Sequence, residues 1–285
     1  MSISQKTALI TGCSDGGLGS AMAKALLEKD YYVFATLRNT SKAQTLKNLS
    51  NVEILQLDVS SRDSITRCAE QVKQRTSTLD ILINNAGGDF HAPLLDADIE
   101  KAKKSFDVNF WSILLVTQAF ADLIINGHGV IVNCSSVLWN IPSPWAGIYT
   151  TSKAAVKQVS ETMRIEMEPL GVRVVTAIIG VVETNFFKNG LNESYQLPAN
   201  SYYKPIHTRL EDQRAGRHVR SGQHADVTAR EIINDVLGGA KGCIWRGGQS
   251  TTAKWLTWLL PAWALEWLVL GSRGLEELRQ YYLHK

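Results

Sequence analysis

The sequence predicts an α/β fold in which a doubly wound parallel β-sheet is covered by helices on both faces, giving three layers (α/β/α). Two observations predict it. Apolar stretches of strand length alternate with stretches of helical period over roughly the first 180 residues, and the apolar stretches are nearly continuous, as in parallel strands buried on both faces. A cluster of glycines also separates the first such strand from the first helix, as in the first βα turn of many such folds.

The individual elements follow from these periods. Strands are predicted at residues 7–11, 31–37, 52–57, 79–83, 130–134 and 172–179. Helices are predicted at residues 20–29, 61–75, 99–125 and 149–168, the last of them ended by Pro169 and Gly171. Parallel strands require crossover connections, which we expect to be right-handed.

Composition and charge exclude several classes of protein. Of the 285 residues, 45% are apolar and 20% are charged, which is typical of a globular chain and not of a disordered one. The net charge of +3 provides no basic excess for a polyanion, so nucleic acid is not expected as a partner. The four cysteines form no Cys-x-x-Cys pair, so neither a metal site nor a disulfide framework is predicted. With no apolar leader after Met1, we expect a cytoplasmic rather than a secreted protein.

The glycine cluster reads Thr11-Gly12-Cys13-Ser14-Asp15-Gly16-Gly17-Leu18-Gly19. Between a strand and a helix, such a turn lets a pyrophosphate approach the backbone and the free N–H groups of the helix N-terminus. We therefore predict a Rossmann-type dinucleotide site, although an ordinary βα turn remains the alternative. The residues expected to contact the phosphates are Gly12, Ser14, Gly17, Leu18 and Gly19.

Two charged residues near the next strand ends bear on the choice of dinucleotide. Arg38 follows the second strand, where an acidic residue would bind the ribose of NAD and an arginine suits the 2′-phosphate of NADP. A solvated surface arginine is the alternative. Asp58 follows the third strand and is placed either to meet the adenine edge or to cap the next helix.

Three side chains point to proton transfer. Tyr149 and Lys153 are four residues apart on a predicted helix and therefore share one face. An ammonium beside a phenol favours the phenolate, so we expect the pKa of Tyr149 to fall from about 10 toward neutrality. Ser136 lies just beyond the fifth strand, where it can donate a hydrogen bond to a substrate oxygen. Alternatively, Tyr149 is a core residue and Lys153 a solvated one.

With these residues in order, the chain resembles a short-chain dehydrogenase/reductase of the Tyr-x-x-x-Lys type. The motifs that carry the resemblance are Thr11-Gly12…Gly17-Leu18-Gly19, Asn84-Asn85-Ala86-Gly87, Asn109, Ser135-Ser136, Tyr149-Thr150-Thr151-Ser152-Lys153 and Gly180…Thr184. The residues of the glycine cluster, together with the tryptophan-rich C-terminus, resemble those of fungal reductases related to acyl-dihydroxyacetone-phosphate reductase. This group overlaps with hydroxysteroid-type and natural-product-tailoring enzymes.

The resemblance implies a role for each matched residue. Tyr149 would be the general acid/base, Lys153 would also hold the nicotinamide ribose, and Ser136 would orient the substrate oxygen. Asn109 would support a water-mediated proton path. The remaining cofactor contacts would come from Asn85, Ala86, Gly87, Val182 and Thr184, beside Tyr149 and Lys153 themselves.

Two departures from the family pattern affect these expectations. Four residues rather than three separate Gly12 from Gly17, so we expect a bulge at residues 14–16. The Pro-Gly that follows the sixth strand in the family is Ile179-Gly180 here, and we expect a looser turn because the proline ring is absent.

The C-terminal part breaks the α/β pattern. We predict one NADP-binding catalytic domain at 1–250, an irregular substrate lid at about 185–227, and a helical C-terminal extension at 251–285. Five of the eight tryptophans lie at residues 245–267. The apolar stretch 255–270 is too short to span a bilayer. It packs on the pocket or core, lies at a membrane or lipid-droplet interface, or is buried by a partner subunit.

Together these features predict an NADP(H)-dependent oxidoreductase that interconverts a ketone and a secondary alcohol, in the reductive direction. The aromatic residues of the lid (Phe186, Phe187, Tyr202 and Tyr203) favour a bulky hydrophobic substrate, such as a lipid, a steroid or terpenoid, or a polyketide-like product. The alternatives are an oxidative tailoring dehydrogenase and a non-catalytic nucleotide-binding regulator. The family resemblance implies a homodimer or homotetramer. His91 is expected to be a surface residue, with contact to the substrate as the alternative.

Overall fold

Seven parallel strands form one sheet at the centre of the computed structural model, which describes residues 3–186, 196–217, 222–270 and 273–285. Their spatial order is β3-β2-β1-β4-β5-β6-β9, so the chain reverses direction across the sheet between β1 and β4. A separate parallel pair, β7 and β8, lies beyond β6. The strands are β1 (Thr7–Thr11), β2 (Tyr32–Leu37), β3 (Val52–Gln56), β4 (Ile81–Asn84), β5 (Val130–Ser136), β6 (Arg173–Ile179), β7 (Val182–Glu183), β8 (Gln223–His224) and β9 (Gly242–Arg246).

Helices cover both faces of this sheet, which confirms the predicted three layers. The helices are α1 (Leu18–Leu27), α2 (Arg62–Lys73), α3 (Ile99–Phe106), α4 (Ser112–Asn126), α5 (Gly147–Met167), α6 (His207–Arg214), α7 (Ala225–Leu237), α8 (Ser250–Leu259), α9 (Ala262–Leu270) and α10 (Leu275–Leu283). Apolar side chains of α1 and α7 pack on one face of the sheet, and those of α2, α4 and α5 pack on the other. Two buried cores result, one on each side of the strands.

The six predicted strands are confirmed with small shifts at their ends, but β9 and α7 were not predicted. Only one residue of β9 is buried, and the others are half-buried or exposed, because β9 is an edge strand that pairs only with β6. Such a strand lacks the continuous apolar run by which the inner strands are recognised. For α7 the signal was present, since Ala229, Ile232, Ile233 and Val236 follow a helical period and are buried.

The segment expected to be an irregular lid contains ordered elements. It includes α6, a 3₁₀ turn at Lys204–Ile206 and the short strand β8, which pairs with β7 just before the segment. Residues 187–195 and 218–221, and with them Phe187, lie outside the described residues. The C-terminal helix α10 packs on this segment through Leu275 and Leu278, which contact a buried cluster of Trp145, Ile206 and Leu210.

Polar contacts join the same surfaces. The Trp145 indole Nε1 donates to the Arg273 carbonyl at 2.9 Å, and the Arg273 guanidinium donates to Gln213 Oε1 of α6 at 2.8 Å. Arg209 of α6 forms an ion pair with Glu277 of α10 at 2.6 Å. The end of the C-terminal extension is therefore bonded both to the lid and to the residue that precedes α5.

The tryptophans of α8 and α9 are on the surface. Trp255 is 51% exposed, and Trp258, Trp263 and Trp267 are each about 75% exposed. The alternative in which these side chains pack into the pocket or core is therefore wrong. Among the residues of α8 and α9 whose burial the structure describes, only Leu265 and small residues of α8 are buried. Contact with a lipid interface or with a partner subunit remains a prediction.

Among the residues that the structure describes, one helical stretch has the length and hydropathy of a membrane span. It runs from Ile99 to Asn126, and 44% of its most apolar window is buried inside the protein. Residues of α4 within it, including Val116, Phe120 and Ile124, pack against the sheet in the core that α2 and α5 share. Its apolar character is accounted for by this packing, as in the core helix of an α/β domain.

Candidate active site

Four of the predicted site residues meet where the sheet ends and α5 begins. Ser136 is the last residue of β5, and Tyr149 and Lys153 lie in the first two turns of α5. Asn109 lies in a π-helical turn, Asp107–Trp111, that interrupts the helix between α3 and α4. All four side chains belong to buried residues. The carboxyl edge of an open α/β sheet is where such folds bind their ligands.

Asn109 connects the loop after β4 with α5. Its Oδ1 accepts a hydrogen bond from the backbone N–H of Gly88 at 2.8 Å, and its Nδ2 donates to the Gly88 carbonyl at 2.9 Å. Nδ2 also lies 3.2 Å from Ser152 Oγ, which in turn donates to the Tyr149 carbonyl at 2.7 Å. The π turn is what directs this amide inward, consistent with the frequent occurrence of such turns at functional sites.

Lys153 is held beside the Tyr149 ring. Its Nζ donates to the Cys134 carbonyl at 3.1 Å and lies 5.8 Å from the centroid of the ring. A side chain at Gly87 would place its Cβ 3.5 Å from Nζ and 3.2 Å from Asn109 Oδ1. Gly87 therefore leaves room for the ammonium and the amide to approach the loop, and burial lowers the pKa of Lys153.

The pKa of Tyr149 moves in the direction opposite to the expected one. Burial raises it above the usual value near 10, and the negative charge of Asp89 raises it further, whereas a hydrogen bond with the Ser136 side chain opposes the shift. The prediction of a lowered pKa is therefore wrong for this chain. The physical reason is that burial of the phenol disfavours the charged phenolate and that the neighbouring Asp89 carboxylate disfavours it further.

Ser136 is fixed by the turn that follows it. Its Oγ accepts the backbone N–H of Leu138 at 3.2 Å and so caps the 3₁₀ turn Val137–Asn140. The hydroxyl hydrogen is not used by this contact, and the side chain is also hydrogen-bonded to that of Tyr149, so the two hydroxyl groups are neighbours at the site. A carbonyl oxygen that gains negative charge would be stabilised by both.

The glycine loop forms a close-packed cradle before α1. Gly12 has a positive φ of +78°. A Cβ on Gly19 would lie 2.5 Å from the Gly12 carbonyl oxygen and 2.6 Å from Asn85 Nδ2, and that amide donates to the Thr11 carbonyl at 2.8 Å. The N-terminus of α1 begins after Gly17 with no side-chain cap and no acidic residue in its first turn. These properties fit a bound pyrophosphate.

The extra residue of the loop has a structural use that the sequence did not reveal. Asp15 accepts hydrogen bonds from the backbone N–H groups of Gln44 and Thr45, at 2.8 and 3.0 Å, and from Thr45 Oγ1 at 2.6 Å. On its other side, Asn185 Nδ2 donates to the Asp15 carbonyl at 3.3 Å. The insertion thus ties the loop, including Ser14 and Gly16, to the segments after β2 and β7.

Arg38 and Asp58 lie together beyond β2 and β3. Partial burial alone would raise the pKa of Asp58, but hydrogen bonds from Ser60 and the nearby charge of Arg38 lower it below its usual value. Asp58 does not cap α2, because the Ser61 side chain accepts the N–H of Ser64 there. The capping alternative is therefore wrong, and Arg38 is exposed, with its guanidinium available to a ligand.

The turn after β6 is held firmly even though it lacks proline. The N–H of Gly180 donates to the Arg246 carbonyl, and that of Val181 donates to the Gly248 carbonyl, both at 2.8 Å. A Cβ at Gly180 would lie 2.1 Å from the Gly248 oxygen. The expected loosening is therefore not found, because β9 and the residues after it supply the restraint.

The segment that follows this turn reaches the Tyr149 ring. Val182 lies in β7, and Thr184 Oγ1 accepts the N–H of Phe186 at 3.3 Å. The ring of Phe186 packs edge-on against Tyr149, with 6.1 Å between the centroids. Residues 182–186 therefore border the same site as the four side chains described above.

The loop after β4 holds two further polar residues in the site. His91 Nδ1 lies 2.6 Å from Asp89 Oδ2, and the side chains are only 10% and 7% exposed. The prediction of a surface histidine is therefore wrong. Sequence reasoning missed Asp89, although the spacing of Asp89 and His91 just after Gly87 was a signal that could have been read.

Comparison with known proteins agrees with this geometry. Residues 6–194 match the family model for short chain dehydrogenases. A short-chain dehydrogenase of Talaromyces islandicus is 42% identical over 275 residues, covering 96% of this chain and 97% of the relative. The NADPH-dependent 1-acyldihydroxyacetone phosphate reductase of Schizosaccharomyces pombe is 36% identical, covering 80% of this chain and 79% of that one.

A solved structure has the same fold. A short chain dehydrogenase from Burkholderia cenocepacia in complex with NADP superposes with a TM-score of 0.73 at 24% identity, covering 95% of this chain and 99% of the other. The match to the family spans the glycine cradle, Asn109, Ser136, Tyr149 and Lys153. On these grounds the chain belongs to the short-chain dehydrogenase family, an enzyme family of oxidoreductases.

Proposed function

We propose that this protein uses NADPH to reduce a ketone to a secondary alcohol on a bulky, largely apolar substrate. The observation that carries the proposal is the meeting of two hydroxyl donors, Ser136 and Tyr149, with Lys153 and Asn109 next to the glycine cradle. The NADPH-dependent relative from Schizosaccharomyces pombe supports the choice of nucleotide.

The residues present fit a dinucleotide along the whole carboxyl edge of the sheet. Gly12, Gly17, Leu18 and Gly19 would hold the pyrophosphate, with Ser14 beside them, because the cradle excludes side chains and the α1 N-terminus offers free N–H groups. Arg38 would meet the 2′-phosphate and Asp58 the adenine. Asn85, Ala86 and Gly87 would line the adenosine and ribose side. Val182 and Thr184 would contact the nicotinamide carboxamide, with Tyr149 and Lys153 near the nicotinamide ribose. When bound, NADPH would supply the hydride to the carbonyl carbon.

The proton comes from the protein in this proposal. Ser136 and Tyr149 donate hydrogen bonds to the carbonyl oxygen, and Tyr149 transfers its phenolic proton as that oxygen becomes an alkoxide. The raised pKa of Tyr149 supports the reductive direction, because a protonated phenol is the required acid. Lys153 and Asn109 would restore the proton from solvent.

The surroundings of the phenol support an apolar substrate. Phe186 packs against Tyr149, and Trp145 lies four residues before it with Tyr203 packed edge-on against its indole. In this proposal the Phe186 ring would contact the substrate beside Tyr149, and the Trp145–Tyr203 pair would support the lid around it.

Turnover and its pH dependence test this function together. With NADPH and a panel of bulky ketones, we expect NADPH consumption at a rate that stays level from about pH 6 to 9. The raised pKa keeps Tyr149 protonated throughout this range, and the acid would be lost only above that pKa. The measurement is the decrease in NADPH absorbance at fixed saturating concentrations.

A nucleotide-binding protein without catalysis would behave differently. It would show a higher melting temperature with NADPH and yet oxidise none with any ketone. A reductive rate that falls steeply between pH 6 and 8 as Tyr149 ionises would instead contradict the assignment of a raised pKa to the acid.

Arg38→Asp should change the nucleotide preference. Removing the guanidinium and adding a carboxylate beside Asp58 should weaken NADPH binding by about 10- to 100-fold, the size of a charge-assisted hydrogen bond, and weaken NADH binding less. Titration of each nucleotide measures this. Arg67→Asp, an exposed arginine of α2, is the matched control and should affect neither. Equal losses for both nucleotides would contradict the 2′-phosphate contact.

A further inference from the structure

The loop at residues 88–92 is fixed at both ends beside Tyr149. At one end Gly88 is bonded twice to Asn109, whose amide also contacts Ser152 of α5. At the other end the N–H of Ala92 donates to the Trp145 carbonyl at 2.8 Å. Both anchors adjoin the first turn of α5, so the loop between them passes close to the phenol.

Two polar side chains of this loop form a largely buried pair. His91 Nδ1 and Asp89 Oδ2 are 2.6 Å apart, and Asp89 Oδ1 accepts the N–H of Phe90 at 2.9 Å. Within the part of the chain that the structure describes, Nδ1 makes the only protein hydrogen bond of the His91 ring, which leaves Nε2 for a ligand. The charge of Asp89 also acts on Tyr149, which places the pair close to the reacting groups.

The electrostatics of the pair decide what Nε2 can bind. A carboxylate that accepts from Nδ1–H holds the ring in one orientation and one tautomer, with the Nε2 lone pair as an acceptor. With the ring neutral in this tautomer and Asp89 as a carboxylate, the pair carries a net charge of minus one. The pair would therefore repel a carboxylate or phosphate of a substrate, whereas a neutral hydroxyl can donate a hydrogen bond to Nε2.

We propose that Asp89 and His91 recognise a hydroxyl group of the substrate, so that the preferred substrates are hydroxyketones rather than simple ketones. This inference rests on the proposed ketone reduction and names its substrate class. His91 contacts the substrate, and Asp89 is a positioning residue that orients the ring. A substrate without the hydroxyl would leave the His91 Nε2 acceptor without a hydrogen bond, and this cost disfavours that substrate.

The test uses 1-tetralone and its monohydroxy isomers, with the corresponding O-methyl ethers and carboxylic acids. We expect at least one hydroxy isomer to exceed 1-tetralone in kcat/KM by about 10- to 100-fold, as for a polar group that finds its buried partner. Its methyl ether should lose that advantage. The acids should bind no better than 1-tetralone, and tighter binding of an acid would show an anion site instead and overturn the proposal.

Variants then assign the preference to the pair. His91→Phe keeps the ring size but removes the acceptor, so the ratio of kcat/KM between the hydroxy isomer and 1-tetralone should fall to near one. Asp89→Asn should lower the same ratio in part, and the double variant should resemble His91→Phe because the two residues act together. His91→Gln retains an acceptor and should restore part of the ratio. His284→Phe, at the exposed C-terminus, is the matched control.

Binding measurements separate this proposal from the proposed function. Dissociation constants of the NADPH complex for the same compounds do not require turnover. If no tetralone is reduced but the hydroxy isomer binds more tightly, and only with His91 present, ketone reduction fails and the recognition pair stands. The proposal would be overturned if His91→Phe left the ratio unchanged, or if neither turnover nor binding showed a preference for the hydroxyl group. The pair would then have only a structural role, in holding the loop in place.

Discussion

Tyr149→Phe should lower the rate of ketone reduction by about 100- to 10,000-fold, the range for loss of a positioned general acid. The substitution removes one oxygen atom and retains the ring that packs against Phe186. Binding of NADPH should stay within a few-fold, because the substitution leaves the cradle before α1 and the Lys153 side chain unchanged. Steady-state kinetics with the best ketone of the panel, and a titration of NADPH, measure the two quantities.

The matched control is Tyr203→Phe. Tyr203 belongs to the lid, and its ring packs against Trp145. Among the described residues, it contacts its neighbours through this ring rather than through its hydroxyl group. This variant should retain turnover. Unreduced activity of Tyr149→Phe with every active ketone would refute the assignment of Tyr149 as the acid.

Gly19→Ala should abolish NADPH binding and destabilise the fold. The added Cβ would lie 2.5 Å from the Gly12 carbonyl oxygen and 2.6 Å from Asn85 Nδ2. Both neighbours are fixed, since Gly12 donates its N–H to the Thr36 carbonyl and the Asn85 amide is bonded to Thr11. Relieving the overlap would displace the cradle, at a cost of about 1–3 kcal/mol in the free energy of unfolding.

Thermal unfolding with and without NADPH measures both effects. Gly88→Ala serves as the comparison for stability, because a Cβ there would meet nothing within 4 Å. Gly19→Ala should melt at a lower temperature than Gly88→Ala and should gain no stability from the nucleotide. A normal shift in melting temperature with NADPH would show that the loop accommodates a side chain and does not enclose the pyrophosphate.

The glycine loop illustrates how far local sequence reasoning reached. Its place between β1 and α1 and the requirement for Gly19 follow from the chain itself, because a strand, a tight turn and a helix are built from neighbouring residues. Residues 14–17 form a turn in which the Gly17 N–H donates to the Ser14 carbonyl at 3.0 Å, and the bulge expected there stays a prediction. The partners of Asp15 in this turn were not predictable. Asp15 is bonded to Gln44 and Thr45, about 30 residues away, and no local pattern identifies such partners.

For the tryptophans, the tertiary structure decided more than the local sequence did. Composition singles out the C-terminal extension, yet the fate of each indole differs. Trp145, outside the cluster, is buried and joins the lid to α5, whereas Trp258 and Trp263 face solvent. Hydrophobicity is a property of the residue, but burial depends on which surface the fold brings against it.

The sequence by itself determined the α/β architecture, six of the strands, the cradle, and the side chains Ser136, Tyr149 and Lys153. Each depends on short-range periodicity, since a spacing of four residues places two side chains on one face of any helix. Only the tertiary structure decided the direction of the Tyr149 pKa shift, the role of Asp15 and the burial of Asp89 with His91. These depend on desolvation and on charges from residues distant in sequence, which the folded chain alone brings together.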